Sequence, residues 1–310
     1  MTNRERVKAV LGYRPYDRLP LVHFGFWDTT LEKWKRENHI TEEEAQLWFM
    51  ECPGDRTVTE KLGFDCNWNS VFRLNATVFP LFEKKVLRER SDGSREVRSP
   101  LGVTELEMPG VTSIPSEIDH LLKDRASWEE HYLPRLQYTD QRLYNHERND
   151  CPLYTPFQPD GLNYLKDDGR AEPVGLHCGS LFGEIRNWLG ITGVSYLFMD
   201  DRPLLDEIID TVGGLVYRCV EEMLATGAVF DYAHFWEDIC FKNGPLIMPT
   251  FFHEKVGPHY RRITTLIREH GIDIISLDCD GCIDALIPTW FENGVNTMFP
   301  IEVGTWKASI

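Results

Sequence analysis

The chain has 310 residues, of which 42% are hydrophobic, a composition that is ordinary for a soluble globular protein with a large core. Its formal net charge is −16, and an acidic surface repels phosphate backbones, which argues against a nucleic-acid partner. The sequence has no run of about 18 apolar residues, the length that a membrane-spanning helix needs.

The start of the chain predicts an amphipathic helix over residues 3–12 and contains no apolar signal core. We therefore expect a cytoplasmic protein that forms a single domain over residues 1–310. Cysteines in the cytoplasm are mostly reduced, so we expect free thiols at the eight cysteines, which stand at positions 52, 66, 151, 178, 219, 240, 279 and 282.

Four further elements are predicted before residue 110. We expect strands over residues 21–26 and 64–72, and a helix over residues 41–51 whose N-cap is Thr41, because three glutamates follow it. Residues 79–108 predict a β-hairpin that leaves the main fold, because two alternating segments flank an Asp-Gly turn at residues 92–93. Residues 116–148 are acidic and predict helices.

The part of the chain after residue 173 alternates between predicted strands and predicted helices, which is typical of a parallel sheet covered by helices. Gly271 and Gly294 stand where helix C-caps are expected. We expect one helix to break near Gly213 and Gly214. The predicted strands cover residues 173–178, 229–236, 273–279 and 296–302, and the predicted helices cover 180–189, 203–226, 256–270 and 282–293.

Three of these strands end in acidic residues. Glu237 and Asp238 end one strand, Asp278 and Asp280 end the next, and Glu302 ends the last. Since the carboxyl ends of parallel strands meet on one face of a sheet, and ligands bind there, these side chains predict one carboxylate-rich pocket and an enzyme. Residues 304–310 resemble the opening of another helix, so we expect either a truncated sequence or a sheet that stays open at one side.

Nearly the whole chain resembles the uroporphyrinogen decarboxylase superfamily, which includes the decarboxylase itself and cobalamin-dependent methyltransferases. The resemblance implies a TIM-type (β/α)₈ barrel with its site at the carboxyl ends of the strands, with helices and a hairpin added near the N-terminus. It rests on five segments, at residues 4–20, Gly179-Ser-Leu-Phe182, Trp236-Glu-Asp238, Lys242-Asn-Gly-Pro-Leu246 and Gly294-Val-Asn-Thr-Met-Phe-Pro300.

Two branches of this superfamily differ in the chemistry of their pockets. The decarboxylase binds a tetrapyrrole with many carboxylates, so its pocket needs arginines. In the family an arginine-containing loop follows the first strand, whereas residues 23–28 of this chain contain none. The acidic strand ends also argue against a polyanionic substrate, so we do not favour porphyrinogen decarboxylation.

The methyltransferase branch uses zinc to activate a thiol, and the resemblance places a His-x-Cys ligand pair on the strand over residues 273–279. The matching residues are Asp278 and Asp280, which share one face of the strand, while Cys279 points to the other. Oxygen ligands suit harder cations than thiolate or imidazole does, so the cofactor is either zinc or another divalent metal.

The candidate catalytic residues are Asp278, Asp280 and Glu237, which would bind a metal or transfer a proton; Asp278 and Asp280 are the candidate metal ligands. For Asp280 the alternative is helix capping, and for Asp238 an outward salt bridge. The candidate substrate-binding residues are histidines, tryptophans and polar side chains near strand ends, for which core packing or structural hydrogen bonds are the alternative: His23, Trp27, Asn67, Asn69, His177, His234, Trp236 and Glu302.

The predicted function is that of a methyltransferase of the uroporphyrinogen decarboxylase-like class. By resemblance, it would move a methyl group between a small molecule or thiol and a corrinoid carried on a partner protein. The alternatives are a lyase that decarboxylates or otherwise cleaves a small substrate, and a barrel that binds a small molecule without catalysis. The oligomeric state stays open.

Overall fold

The computed structural model describes residues 1–47, 53–69, 71–111, 114–143 and 159–304. Helix α1 starts with a capping box, in which Thr2 Oγ1 accepts from the N–H of Glu5 and the Glu5 carboxylate accepts from the N–H of Thr2. The N-terminal elements are α1 (Asn3–Leu11), β1 (Val22–His23), α2 (Asp28–Arg36), α3 (Glu42–Leu47), α4 (Pro53–Lys61), β2 (Cys66–Asn67) and β3 (Val71–Arg73).

Two of the predictions for this part hold with changes. Thr41 caps α3 as predicted, since its Oγ1 accepts from the N–H of Glu44 at 3.1 Å, and residues 48–51 of the predicted helix lie outside the described residues. The strand predicted over residues 64–72 is two short strands, β2 and β3, which pair in different sheets.

The hairpin prediction is confirmed and belongs to a larger antiparallel sheet. Gly93 lies in the turn with a φ of 82°, and Asp92 Oδ1 accepts from the N–H of Ser94 at 2.9 Å. The strands follow in chain order, β4 (Lys85–Glu89), β5 (Arg95–Arg98), β6 (Val103–Glu107) and β7 (Ser116–His120).

The helix predicted over residues 116–148 is wrong at its beginning. Residues Ser116–His120 form β7, because pairing with β6 satisfies their backbone groups and outweighs the local composition. Helical structure begins at α5 (Arg125–Ser127) and continues in short π and 3₁₀ turns to Leu143, while residues 144–148 lie outside the described part.

The predicted alternation of strands and helices after residue 173 is confirmed. Among the described helices none combines the length and the apolar composition needed to cross a membrane. The elements are α6 (Pro159–Lys166), β8 (Gly175–His177), α7 (Gly183–Asp200), α8 (Arg202–Ala225), β9 (Tyr232–Trp236), β10 (Cys240–Phe241), β11 (Gly244–Pro245), α9 (Pro249–Phe251), α10 (Gly257–Glu269), β12 (Ile274–Asp278), α11 (Ile287–Glu292) and β13 (Thr297–Phe299).

The predicted break near Gly213 and Gly214 is wrong, because α8 runs without interruption over 24 residues. Gly213 serves close packing between helices. A methyl group in its place would collide with the imidazole of His259 on α10. Glycine therefore allows α8 and α10 to approach each other and does not end the helix.

Five parallel strands form the central sheet in the order β13-β12-β9-β8-β3, and β1 pairs with β2 in a separate parallel sheet. The mixed α/β fold with a parallel sheet agrees with the prediction. A closed barrel of eight strands remains a prediction, since the parallel strands of the described residues lie in these two sheets.

The two faces of the central sheet carry different cores, because successive side chains of a strand point to opposite sides. Phe72, Leu176, Phe235 and Leu277 are fully buried in the main core with the residues of α7, α8 and α10. On the other face, Val71, Tyr232 and Ile274 pack with Val7 of α1 and with Trp68. We call this second face the inner face.

Helix α1 closes the amino ends of the strands. Arg4 Nε donates to Asp231 Oδ1 at 2.7 Å, and Asp231 Oδ2 accepts from the N–H of Val174 at 3.0 Å, so the helix is tied to the starts of β8 and β9. Val7 of the same helix is buried against the first inner-face residues. Helix α1 therefore covers the inner face at the amino ends of the strands.

We predict that Gly175→Ala destabilises the protein. Gly175 is in register with Val71 and Tyr232, and an added methyl group would overlap the Tyr232 ring, which is stacked on Trp68 with ring centroids 4.0 Å apart. The expected loss is about 1–3 kcal/mol of unfolding free energy, measured by urea denaturation. The control is Gly214→Ala on α8, where the added methyl group has room and stability should rise by up to about 1 kcal/mol. Equal stability of Gly175→Ala and wild type would contradict the packing of the inner face.

Candidate functional site at the carboxyl ends of the parallel strands

The inner face becomes polar towards the carboxyl ends of the strands. Arg73, His177, His234 and Ser276 are in register across β3, β8, β9 and β12, so they form one layer. Two residues further along, Trp236, Asp278 and Phe299 form the next layer on the same face. We call these the histidine layer and the carboxylate layer. The predicted site residues His177, His234, Trp236 and Asp278 therefore share one face.

Three carboxylates meet at the rim above these layers. Asp238, Asp278 and Asp280 each offer one oxygen, and the three oxygens lie within 4.8 Å of one another. The backbone holds this arrangement, because the N–H of Asp280 donates to Asp238 Oδ1 at 3.0 Å and the N–H of Glu237 donates to the carbonyl of Asp278 at 3.0 Å. Asp278 and Asp280 were predicted together, and Asp238 joins them.

The three like charges disfavour full ionisation of the cluster. Burial raises the pKa of Asp278 to about 7, and the charges of Asp238 and Asp280 add to the effect, while Arg73 opposes it. Burial also raises the pKa of Asp280, helped by Asp238 and Glu302. A group with a pKa near neutrality exchanges protons readily, and a bound cation would relieve the same repulsion.

The assignment of Glu237 to the pocket is wrong. Its carboxylate is fully buried on the helix side of the sheet and accepts from five donors: the N–H groups of Leu181, Phe182 and Gly183, the hydroxyl of Ser180, and the hydroxyl of Tyr260 at 2.5 Å. Burial raises the pKa of Glu237, and these hydrogen bonds oppose the rise. It anchors the start of α7 and has no place at the site.

The roles of Glu237 and Asp238 are therefore the reverse of the prediction, in which Asp238 formed an outward salt bridge. The period of two along β9 gives the reason: His234 and Trp236 face inward, so residue 237 faces the helices and residue 238 returns to the inner side. The sequence contained this signal. Asp238 also adopts a left-handed backbone with a φ of 40°, which turns the chain at the strand end.

His177 and His234 lie side by side in the histidine layer, with ring centroids 5.2 Å apart. His177 Nδ1 accepts from the N–H of Gly179 at 3.0 Å, and His234 Nδ1 lies 3.0 Å from Ser276 Oγ. Burial lowers the pKa of both rings, that of His234 to about 3, and the charge of Arg73 lowers both further. Both rings are neutral at pH 7, so their predicted role in substrate contact would rest on neutral hydrogen bonds.

The remaining predicted residues divide into two groups. Glu302 lies at the rim, where its carboxylate accepts from the N–H of Gly281 at 2.6 Å and its charge reaches Asp280. His23 and Asn67 instead belong to a buried network on α4, in which His23 Nε2 bonds Thr59 and Asn67 Nδ2 donates to Asp55 at 2.9 Å.

Asn69 and Trp27 lie outside the inner face of the central sheet. Asn69 Nδ2 donates to the carbonyl of Phe24 at 2.8 Å, and Trp27 is 65% exposed at the start of α2. Within the described residues, no hydrogen bond joins His23, Asn67, Asn69 or Trp27 to the three carboxylates. Their role in substrate binding stays a prediction, and His23 and Asn67 have a structural role in fixing β1 and β2 to α4.

Comparison with known proteins supports the fold. No protein-family model matches the chain, and no curated protein matches it. Among solved structures, a methyltransferase from Methanosarcina mazei is similar, with a TM-score of 0.52 and 13% sequence identity; the match covers 96% of this chain and 75% of that one. A likeness at this identity shows a shared fold and carries no conclusion about activity.

We predict that Glu237→Gln destabilises the protein although glutamine has nearly the same size and shape as glutamate. The amide nitrogen replaces one oxygen that accepts from at least two donors, so buried donors lose their acceptor and face another donor. The expected loss is about 2–4 kcal/mol in urea denaturation. Glu254→Gln, on an exposed glutamate, is the control and should change stability by less than about 0.5 kcal/mol. A stable Glu237→Gln variant would mean that the carboxylate is not held as described.

We predict that Asp278→Asn changes how stability depends on pH. The folded state keeps the Asp278 proton up to about pH 7, whereas an unfolded chain releases it near pH ~4. The wild type therefore loses stability as the pH rises through this window, because the folded state then binds more protons than the unfolded state. The asparagine variant lacks this loss, so with EDTA present it should be more stable than wild type by roughly 1–3 kcal/mol at pH ~8 and about equal at pH ~4.

The measurement is urea denaturation at both pH values. Asp273→Asn is the matched control, since this exposed aspartate precedes the same strand. It should shift stability equally at both pH values. A wild type and an Asp278→Asn variant with parallel pH profiles would contradict the raised pKa of Asp278.

Proposed function

We propose that this chain is a methyltransferase of the uroporphyrinogen decarboxylase-like class, which moves a methyl group between a small molecule or thiol and a corrinoid on a partner protein. The similar solved structure is a methyltransferase, and the five segments that resemble the superfamily span the same fold. The observation that carries the proposal is the cluster of Asp238, Asp278 and Asp280 at the rim. Two of its members stand where the resemblance places metal ligands.

The cluster fits a divalent cation held by oxygen. Its donors are three carboxylates within 4.8 Å of one another, and the cysteine between two of them, Cys279, is fully buried on the helix side of the sheet. Such a donor set suits a hard divalent cation, and zinc also accepts carboxylate ligands. A cation bound there would lower the pKa of a coordinated thiol or hydroxyl and so favour its nucleophilic form.

The residues of the chain have separate tasks in this proposal. Asp238, Asp278 and Asp280 hold the cation, and Glu302 adds negative charge beside Asp280. Trp236 and Phe299 flank Asp278 in the carboxylate layer, where their rings would shield the reacting groups from water. The histidine layer beneath them would contact the substrate. The corrinoid partner rests on the resemblance alone.

One observation favours the lyase alternative. Arg73 lies in the histidine layer, and its charge reaches His177, His234 and Asp278. A guanidinium in this position suits a substrate carboxylate, as a decarboxylase of a small acid requires. The second candidate function is therefore decarboxylation of a small carboxylate substrate.

We predict that the purified protein binds one divalent cation per chain and that Asp278→Ala and Asp280→Ala lose it. Each variant removes one of three ligands and should weaken binding by at least about 10-fold. Equilibrium dialysis against Mg²⁺, Mn²⁺ and Zn²⁺ followed by elemental analysis gives the stoichiometry. Asp273→Ala, at the exposed aspartate that precedes the same strand, is the control and should bind as the wild type does.

Activity separates the two candidate functions. The cation-loaded protein should methylate free cob(I)alamin from one member of a panel of methylated thiols, amines and alcohols, which is followed by the visible spectrum of the corrin. Asp278→Ala should lower this rate by at least about 100-fold. Release of CO₂ from a small carboxylic acid, with no corrinoid methylation, would replace the methyltransferase proposal by the lyase. Full activity of Asp278→Ala would contradict both.

A further inference from the structure

The hydrogen bonds around Ser276 limit where its neighbours carry their protons. Ser276 Oγ lies 3.2 Å from Trp68 Nε1, 3.0 Å from His234 Nδ1 and 3.1 Å from the carbonyl oxygen of Ala233. All of these groups are buried, so the contacts are not shared with bulk water. The hydroxyl has one proton, the indole N–H donates only, and the carbonyl accepts only.

Proton counting selects one tautomer of His234. If the Ser276 hydroxyl donates its only proton to His234 Nδ1, no proton lies between Ser276 Oγ and the carbonyl oxygen of Ala233. Only two of the three contacts are then hydrogen bonds. If the hydroxyl donates to Ala233, His234 donates from Nδ1–H, and all three contacts are hydrogen bonds. The second arrangement satisfies more buried groups and is therefore preferred. His234 then carries no proton on Nε2.

His177 has the opposite tautomer. Its Nδ1 accepts from the backbone N–H of Gly179 at 3.0 Å, so its single proton lies on Nε2. Neither Nε2 atom has a hydrogen-bond partner among the described residues. The two rings, 5.2 Å apart at their centroids, thus offer one donor and one acceptor to a ligand.

We propose that Ser276, held by Trp68, is a positioning residue that fixes the tautomer of His234, so that His177 and His234 together select a neutral substrate group that both accepts and donates a hydrogen bond, as a hydroxyl does. His177 Nε2–H donates to this group, and the group donates to His234 Nε2. This inference deepens the proposed function by naming the substrate class for the histidine layer, and it rests on that function only in calling the ligand a substrate.

The pair of His177 and His234 discriminates against charged groups, because such a group can form a hydrogen bond with only one of the two Nε2 atoms. An ammonium group has donors only and would face the Nε2–H of His177 and the charge of Arg73. A carboxylate has acceptors only and would face the lone pair of His234, so its binding would rest on Arg73 and not on the histidine pair. The carboxylate layer lies two residues further along the same strands, so a small molecule whose hydroxyl occupies the histidine pair has its other end beside Asp278.

The first experiment reads the tautomers directly. Long-range proton–nitrogen NMR spectra of the full chain, labelled with ¹⁵N at histidine, show which ring nitrogen is protonated, and His177→Asn and His234→Asn assign the signals. We expect Nε2–H for His177 and Nδ1–H for His234. In Ser276→Ala the His234 signal should shift to a mixture of tautomers, whereas Ser276→Thr keeps the hydroxyl and should keep Nδ1–H. A wild type with His234 protonated at Nε2 overturns the proposal.

The second experiment tests the selection with probes of matched size. Ethanol should shift the Nε2 signals of both rings in a saturable way. Ethylammonium should shift neither signal, and acetate held by Arg73 should leave the Nε2 signal of His234 unchanged. Ser276→Ala should weaken the ethanol response by about 10-fold, the effect of one buried hydrogen bond. A larger saturable response to acetate or ethylammonium overturns the selection. Circular dichroism of each variant shows that the fold is kept, and Trp68→Phe provides a second variant should Ser276→Ala not fold.

The two proposals fail separately. Predicted tautomers and ethanol binding without methyl transfer would leave this inference in place and remove the proposed function. Methyl transfer by a protein whose His234 is protonated at Nε2 would leave the proposed function in place and remove this inference.

Discussion

The buried carboxylate of Glu237 is the interaction on which the geometry of the site depends. It accepts five hydrogen bonds, which tie the end of β9 to the start of α7 and to Tyr260 of α10, while its own N–H ties β9 to β12. The next residue, Asp238, lies on the inner side, where it meets Asp278 and Asp280. A side chain buried among the helices thus fixes the position of a carboxylate at the rim.

The two ends of the parallel sheet have opposite tasks. At the amino ends, Arg4 and Asp231 neutralise each other and α1 covers the inner face, so this end contributes to stability. At the carboxyl ends, three carboxylates lie together, and among the described residues no ion pair joins them to a cation; burial and their mutual repulsion raise the pKa of Asp278 to about 7, which costs stability above that pH. Concentrating unfavourable charge at one end is typical of a binding site, and the closed amino end supplies the rigidity that holds it.

The sequence predicts the order of strands and helices after residue 173 and the polar character of the strand ends, because hydrophobic period and turn residues are local signals. It also contains the signal that separates Glu237 from Asp238, since the alternation along β9 assigns them to opposite faces. Other features depend on distant contacts and have no local signal. Gly213 is typical of a helix break until His259 is placed against it, and the composition of β7 is typical of a helix until the strand pairs with β6.

A divalent cation bound by Asp238, Asp278 and Asp280, as proposed, would relieve their mutual repulsion and displace the proton that this repulsion retains. Isothermal titration calorimetry with Mn²⁺ in buffers of different ionisation enthalpy measures the protons released on binding. At pH ~7 Asp278 is about half protonated, so binding should release roughly half a proton per cation, and release should decline towards zero at higher pH. Binding without proton release at pH ~7, or no saturable binding, would contradict the account.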